Sequence, residues 1–364
     1  MFFRASQIEA LSQVCDPHLF EGVKIAANPT NGKEFLKILR NISVGPDMIL
    51  FCKFKSELEP CDELFKEVVT DDGICYTFNM LEHSQMFKGN DEPASWDVSD
   101  GYESDDHDVY PIRASGSVES SLNIVVNTKR SDMDFICKGP VQGYKVKVHS
   151  PDEFPRMSTG YFRLPLNSEA LVRVTPGLTL TAPKAQSHCH TSSTKVLENY
   201  KKYSHENCLT ECLRDFTLAE CGCVKFSMIH EAKTAICDQH HSKCVSDAIK
   251  KFNTNSTSID EFPCDCKPAC NTLKFDSKVS EATFDFTRVF QSYGADLEEF
   301  PEATLSRLTV FLEDEFYTAS YLTQQDSSTI DIIAKIGGIA AFFLGASCIS
   351  ILEIFFYFVR RFVG

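Results

Sequence analysis

Ten cysteines fall between Cys189 and Cys270, and nine of them follow the spacing Cys208-x3-Cys212-x8-Cys221-x-Cys223-x13-Cys237-x6-Cys244-x19-Cys264-x-Cys266-x3-Cys270. Thiols so arranged do one of two things: they oxidise in pairs or they ligate a metal. Cys237-x2-His240-His241-x2-Cys244 has tetrahedral zinc spacing. The neighbouring Cys-x-Cys pairs favour rungs of a disulfide ladder instead, and no metal is expected. Ten cysteines permit far too many connectivities to settle from spacing alone. The elements that must position them are partly readable. Residues 204–218 (SHENCLTECLRDFTL) read as a helix, in which Cys208 and Cys212 share a face. Cys264 and Cys266 have the same-face spacing of an extended strand. A helix stapled by two rungs to an antiparallel strand is the simplest geometry.

The second chemically loaded place is the C-terminus. Residues 336–352 are 17 consecutive positions without a charge; Glu353 interrupts, and Ile354-Phe355-Phe356-Tyr357-Phe358-Val359 resumes the run. At about 1.5 Å per residue, 336–359 is long enough to cross a bilayer core of roughly 30 Å. Arg360-Arg361 places the C-terminus in the cytoplasm. Everything before residue 330 then lies outside the cell, which agrees with 16 cysteines in 364 residues. Glu353 within such a run either faces a bundle interior or aqueous path, or snorkels to the interface. Ala334, Gly338, Ala341 and Gly345 recur at helical spacing and leave one face nearly bare. That face suits close helix packing or a pore of exposed carbonyls, and periodicity does not separate the two.

The remaining features narrow the class. A composition of 43% hydrophobic and 24% charged residues is globular, not disordered. A net charge of −15 excludes a nucleic-acid binder, which needs a basic stripe. No nucleophile elbow, phosphate loop or His-Glu-x-x-His occurs, and Asp71-Asp72 is too generic a carboxylate pair, so the reading is not an enzyme and needs no cofactor. Residues 91–108 crowd eight carboxylates around the lone Trp96. They read as a solvated loop or as a cation- or proton-sensing patch, because crowded carboxylates raise one another's pKa values. His188, His190, His205, His230, His240 and His241 are of the residue type that could sense pH near neutrality, although exposed histidines are common. Asn41-Ile42-Ser43 and Asn255-Ser256-Thr257 are glycosylation acceptors. Residues 305–317 (LSRLTVFLEDEFY) read as a strand closing the extracellular part. The N-terminus, Met1-Phe2-Phe3-Arg4-Ala5-Ser6, is not a signal peptide, so an upstream signal peptide or membrane helix is expected.

The cysteine block, with Cys-Gly-Cys-Val-Lys-Phe at 221–226, resembles the thumb of the degenerin/epithelial sodium channel superfamily. Gly345-Ala346-Ser347 followed by Leu352-Glu353 is similar to that family's second transmembrane helix, where a Gly-x-Ser triplet narrows the pore. Cys75-Tyr76-Thr77-Phe78-Asn79 is similar to its extracellular Cys-Tyr-Thr-Phe-Asn segment. Tyr161-Phe162-Arg163-Leu164-Pro165-Leu166-Asn167 looks like the version in insect pickpocket members. The resemblance runs from about Cys52 to the end, and the order of the motifs makes it specific.

The resemblance implies an α+β fold: a disulfide-rich extracellular domain over 1–329, with a β-sheet palm and a helical thumb and finger. Within it the thumb block spans about 189–270 and the last palm strand about 305–317. One transmembrane pore helix over 330–359 and a cytoplasmic stub over 360–364 would follow. It implies disulfides Cys52–Cys61, Cys189–Cys270, Cys208–Cys266, Cys212–Cys264, Cys221–Cys244 and Cys223–Cys237. Cys15, Cys75 and Cys137 are left over, with Cys15 free to pair with Cys137 or Cys75. The implied function is a subunit of a trimeric, sodium-preferring, amiloride-sensitive cation channel in the plasma membrane, gated through its extracellular domain. Sodium is the permeant ion, membrane lipid the surroundings, and related subunits complete a homo- or hetero-trimer. Gly345, Ala346 and Ser347 would form the selectivity filter, and Ala334, Lys335, Gly338 and Glu353 the gate and pore. Three family features have no counterpart in the sequence: a first transmembrane helix, a His-Gly motif before it and a cysteine after it. The first helix is therefore expected to be missing, as in an N-terminally truncated gene product. Lys335 stands where many relatives carry an acid, and Phe356 replaces a second one. A lysine ring repels cations, which supports the alternative of a non-conducting, membrane-anchored ectodomain with a binding or regulatory role.

Overall fold

The computed structural model describes residues 5–16, 19, 32–89, 94–98, 101–102, 111–113, 116–182, 188–231, 233–255, 264–292, 303–313, 318–322, 329–345 and 347–363. The chain divides into two units, Met1–Leu322 and Thr323–Gly364.

The strands of the first unit are β1 (Ile49–Phe54), β2 (Glu57–Leu58), β3 (Phe65–Thr70), β4 (Gly73–Phe78), β5 (Trp96–Asp97), β6 (Gly101–Tyr102), β7 (Leu122–Lys129), β8 (Tyr144–Val146), β9 (Phe162–Leu164), β10 (Ser168–Thr181), β11 (Asn271–Thr283), β12 (Ala303–Leu312) and β13 (Thr318–Leu322). Its helices are α1 (Ala5–Val14), α2 (Gly32–Ile42), α3 (Cys61–Leu64), α4 (His83–Met86), α5 (His205–Cys221), α6 (Ser242–Asn255) and α7 (Phe286–Ser292). The main sheet has the order β11-β10-β12-β7-β1-β2. Strand β10 is its spine: β11 runs antiparallel along it from Ser168↔Thr283 to Leu180↔Asn271. On its other side β12 and then β13 lie parallel to it in succession.

Period-two alternation builds the core. Leu122, Ile124 and Val126 on β7 and Ala170, Val172 and Val174 on β10 all point to one buried face. The β3–β4 and β8–β9 hairpins cover that face with Phe65, Tyr76, Phe78, Tyr144, Val146 and Phe162. Smaller clusters hold the periphery. Phe35 and Leu39 of α2 and Ala10 of α1 pack on Phe226, with the Phe35 and Phe226 rings 5.2 Å apart. The unit is thus a mixed α and β, disulfide-rich domain.

Helix α5 begins where residues 204–218 were read as helical. Ser204 caps it, its hydroxyl accepting from the Asn207 N–H at 3.1 Å. Gly222 ends it with φ 71°, a left-handed turn that glycine adopts without strain. Two expectations need correction. Cys264 and Cys266 are not in a strand: they lie in irregular chain ahead of β11. The strand expected over 305–317 ends at Leu312, and residues 314–317 lie outside the described residues.

Among the described residues the second unit contains two helices, α8 (Thr329–Leu344) and α9 (Cys348–Val363).

Candidate functional site

The singled-out C-terminal residues sit on these two helices. Large apolar side chains are exposed along both, from Ile332 to Phe343 on α8 and from Ile349 to Phe362 on α9. Helices apolar over so much of their surface belong in a buried or lipid setting. The single pore helix expected over 330–359 is corrected to two helices of 16 residues each. Among the described residues no helix is long and apolar enough to cross a membrane.

Gly345 stands at the interruption. Its φ is 61°, and its N–H still donates to the Ala341 carbonyl at 3.1 Å, so it closes α8 as a left-handed cap. Ser347 opens α9: its hydroxyl accepts from the Ser350 N–H at 3.3 Å, and its own N–H donates to the Ser350 hydroxyl at 3.4 Å. Ala346, between them, lies outside the described residues. Ala334, Lys335 and Gly338 are exposed on α8 and Glu353 is exposed on α9. Ala334, Gly338 and Ala341 share a helical face, whereas Gly345 falls beyond the helix end and leaves the stripe. A helix end of this kind leaves carbonyls without intrahelical partners, the group type that strips water from a cation in a filter.

In the first unit the structure joins Cys208 to Cys266, Cys212 to Cys264, Cys221 to Cys244, Cys223 to Cys237, Cys189 to Cys270 and Cys52 to Cys61. Two bridges fasten α5 to the irregular chain before β11, and Cys221–Cys244 ties its end to α6. Cys237 and Cys244 are therefore occupied, and no cluster suited to a metal occurs among the described residues. Cys15 pairs with Cys137, their Cα atoms 4.5 Å apart. Cys75 is a free, half-buried thiol on β4; burial raises its pKa, and its sulfur lies 3.2 Å from the Thr70 hydroxyl.

Buried polar groups lock the foot of α5. Glu211 accepts from the main-chain N–H groups of Glu198 at 2.8 Å and Asn199 at 2.7 Å. Asn207 accepts from the Phe154 N–H at 3.0 Å and donates to the Asp152 carbonyl at 2.8 Å. Beside them, burial pushes the Glu153 carboxyl up to about 7, with the charges of Asp152 and Glu206 adding to it. Burial likewise raises Asp152 and holds His149 below the ordinary histidine value.

Sequence reasoning missed this cluster. It also passed over Asp71, whose carboxylate accepts from the Met157 N–H at 2.7 Å and the Ser158 N–H at 2.9 Å. Nothing in the local pattern marks these acids, since tertiary contacts bury and engage them. Of the six candidate histidines, His190 contacts the Asp265 carboxylate at 3.0 Å and His241 contacts Asp238 at 2.7 Å. Within the acidic stretch 91–108, residues 94–98 and 101–102 are described, and there Asp97 pairs with Lys202. Asn41 is exposed near the end of α2, and Asn255 is the last residue of α6.

Compared with known families, residues 4–357 match the amiloride-sensitive sodium channel profile. The chain belongs to the amiloride-sensitive sodium channel family. This is a family of ion channels, not of enzymes. The chain is 27% identical over 349 residues to Pickpocket protein 28 of Drosophila melanogaster, covering 86% of this chain and 56% of that protein. It is 23% identical over 362 residues to the bile acid-sensitive ion channel of Homo sapiens, covering 93% and 65% respectively. To acid-sensing ion channel 2 of Homo sapiens it is 24% identical over 362 residues, covering 95% and 65%. The chain thus spans 56% to 65% of the length of these relatives.

Proposed function

We propose that this family member is a subunit of a trimeric, sodium-preferring cation channel of the amiloride-sensitive type. The disulfide-braced domain stands outside the plasma membrane and the C-terminus inside. The observation that carries this reading is the helix break at Gly345 and Ser347, flanked by apolar helices and lying within a family match that extends through residue 357. In this reading residues 345–347 form the constriction, and Ala334 and Gly338 line the gate, where small side chains allow closure. In this reading movement of the extracellular domain gates the pore.

The test is voltage clamp of cells expressing the complete reading frame, alone and with related subunits. An amiloride-blocked sodium current is expected, and Ala334→Phe should raise it at rest. Surface-expressed protein with no current, and no response to Ala334→Phe, would overturn the reading.

One observation favours the alternative of a non-conducting, membrane-anchored regulatory subunit. Lys335 is exposed on α8 next to Ala334, and a ring of lysines there repels entering cations. Lys335→Glu separates the two readings, since it creates or enlarges a current only if the chain lines a pore.

A further inference from the structure

Between the inner face of the main sheet and the β3–β4 and β8–β9 hairpins lies a cavity of about 870 Å³. Phe54, Phe78, Ile124, Val146, Leu164 and Leu308 form much of its wall. The cavity is partly open and mostly apolar, a setting that takes the apolar part of an amphipathic guest. The volume falls in the range of roughly 300–1,000 Å³ typical of small-molecule sites.

The cavity lining also carries charge, and its cations outnumber its anions. Lys138, Lys145, Lys147 and Arg163 line the cavity, against the carboxylates Asp16, Asp72 and Asp134: four cations over three anions. Lys145 and Arg163 stand directly opposite one another on the β8–β9 hairpin, an arrangement of like charges that opposes pairing. Both lie against the Tyr161 ring, the Lys145 ammonium 4.7 Å and the Arg163 guanidinium 5.8 Å from its centre. Asp72 is shared between Lys145 at 2.5 Å and Lys138 at 3.5 Å. Asp134 is taken by the main-chain N–H groups of Ile136 at 2.6 Å and Cys137 at 3.0 Å. Among the described residues Arg163 has the Tyr161 ring beside it and no carboxylate.

We propose that this cavity binds a long-chain aliphatic carboxylate. The chain lies against the apolar wall, and the headgroup accepts hydrogen bonds from Arg163, beside the Lys145 ammonium that Asp72 already engages. Arg163 presents the planar donor pair that a carboxylate meets with both oxygens. The inference needs no ion conduction, so it stands or falls apart from the channel reading.

The experiment uses the full chain in lipid nanodiscs, with empty discs as background. The probes are cis-parinaric acid, a fluorescent 18-carbon carboxylate, and the matching alcohol. Saturable one-to-one binding of the acid is expected. Arg163→Glu should weaken the acid at least tenfold and leave the alcohol within about twofold. If Arg163→Glu does not fold, Arg163→Gln should weaken the acid at least threefold with the same indifference of the alcohol. The Cys75 thiol also lines the cavity. Bound acid should therefore slow alkylation of Cys75 by N-ethylmaleimide several-fold, read on its own peptide by mass spectrometry. Absence of saturable binding, equal weakening of acid and alcohol, or unchanged Cys75 alkylation each overturns the proposal.

Discussion

Lys225 Nζ donates to the main-chain carbonyl of Asp71 at 3.0 Å, tying the cysteine-rich segment to the turn of the β3–β4 hairpin. Asp71 in turn holds the main chain of Met157 and Ser158, so three stretches far apart in sequence meet on one residue. Burial lowers the Lys225 pKa, and the Asp71 carboxylate opposes that shift. Hydrogen bonds to charged groups contribute about 1.5–3 kcal/mol each. Asp71→Ala should therefore cost at least about 2 kcal/mol, and Lys225→Met about 1 kcal/mol after relief of desolvation. Because the Asp71 carboxylate also supports the buried Lys225 ammonium electrostatically, the double variant should depart from additivity by about 0.5–1 kcal/mol. Thermal melts of the four proteins measure this, and simple additivity would rule out the link.

Glu153 makes stability depend on pH. Its folded-state pKa is about 7 against an ordinary 4.5, raised first by burial and then by Asp152 and Glu206, with Ser204 and Lys147 opposing. An acid raised in this way favours the folded state while protonated. That advantage is full below about 4.5 and is lost as pH climbs through about 7. Its size is on the order of 3 kcal/mol. His149 works in the opposite sense: burial keeps it neutral in the fold, so its contribution is lost as pH falls below the ordinary 6.5. Glu153→Gln isolates the carboxyl. The variant should match wild type near pH 4.5 and exceed it at pH 7.5 by an amount on the order of 3 kcal/mol. An equal difference at both pH values would show that Glu153 does not titrate across this window.

Of the three cysteines that the family pairing leaves over, Cys15 and Cys137 are joined and Cys75 is a free thiol. Peptide mapping without reduction should recover a Cys15–Cys137 cross-linked pair and a Cys75 peptide that alkylates. Removing this bridge opens a loop with a sequence separation of 122 residues, so Cys15→Ser with Cys137→Ser should cost about 2–4 kcal/mol. A Cys15–Cys75 peptide in the map would contradict this pairing.

The ladder was readable because helical periodicity sets Cys208 and Cys212 on one face and family spacing names their partners. The strand assigned to Cys264 and Cys266 fails for a physical reason. Chain held by two bridges, and by the Tyr203 hydroxyl on the Lys267 carbonyl at 2.5 Å, needs no ladder of hydrogen bonds to stay in place. The continuous pore helix fails because a hydropathy run counts glycine, alanine and serine as apolar and is blind to backbone angle. The roles of Asp71, set aside as half of a generic acidic pair, and of Glu153 were not legible because contacts from distant segments, not their neighbours in sequence, give them those roles.

Gly345 decides whether α8 and α9 are one helix or two. At φ 61° it occupies a conformation that costs an L-residue roughly 1–2 kcal/mol. Gly345→Ala therefore favours continuing the helix, and exchange of the amides over 345–350 with deuterium should slow as they enter an unbroken ladder. Ser347→Ala acts the other way. It deletes the acceptor of the Ser350 N–H and should cost about 1 kcal/mol locally, speeding exchange of that amide about fivefold. Opposite responses in the two variants identify a break held by glycine on one side and a serine cap on the other. Unchanged exchange in Gly345→Ala would mean that the interruption is imposed from outside these residues.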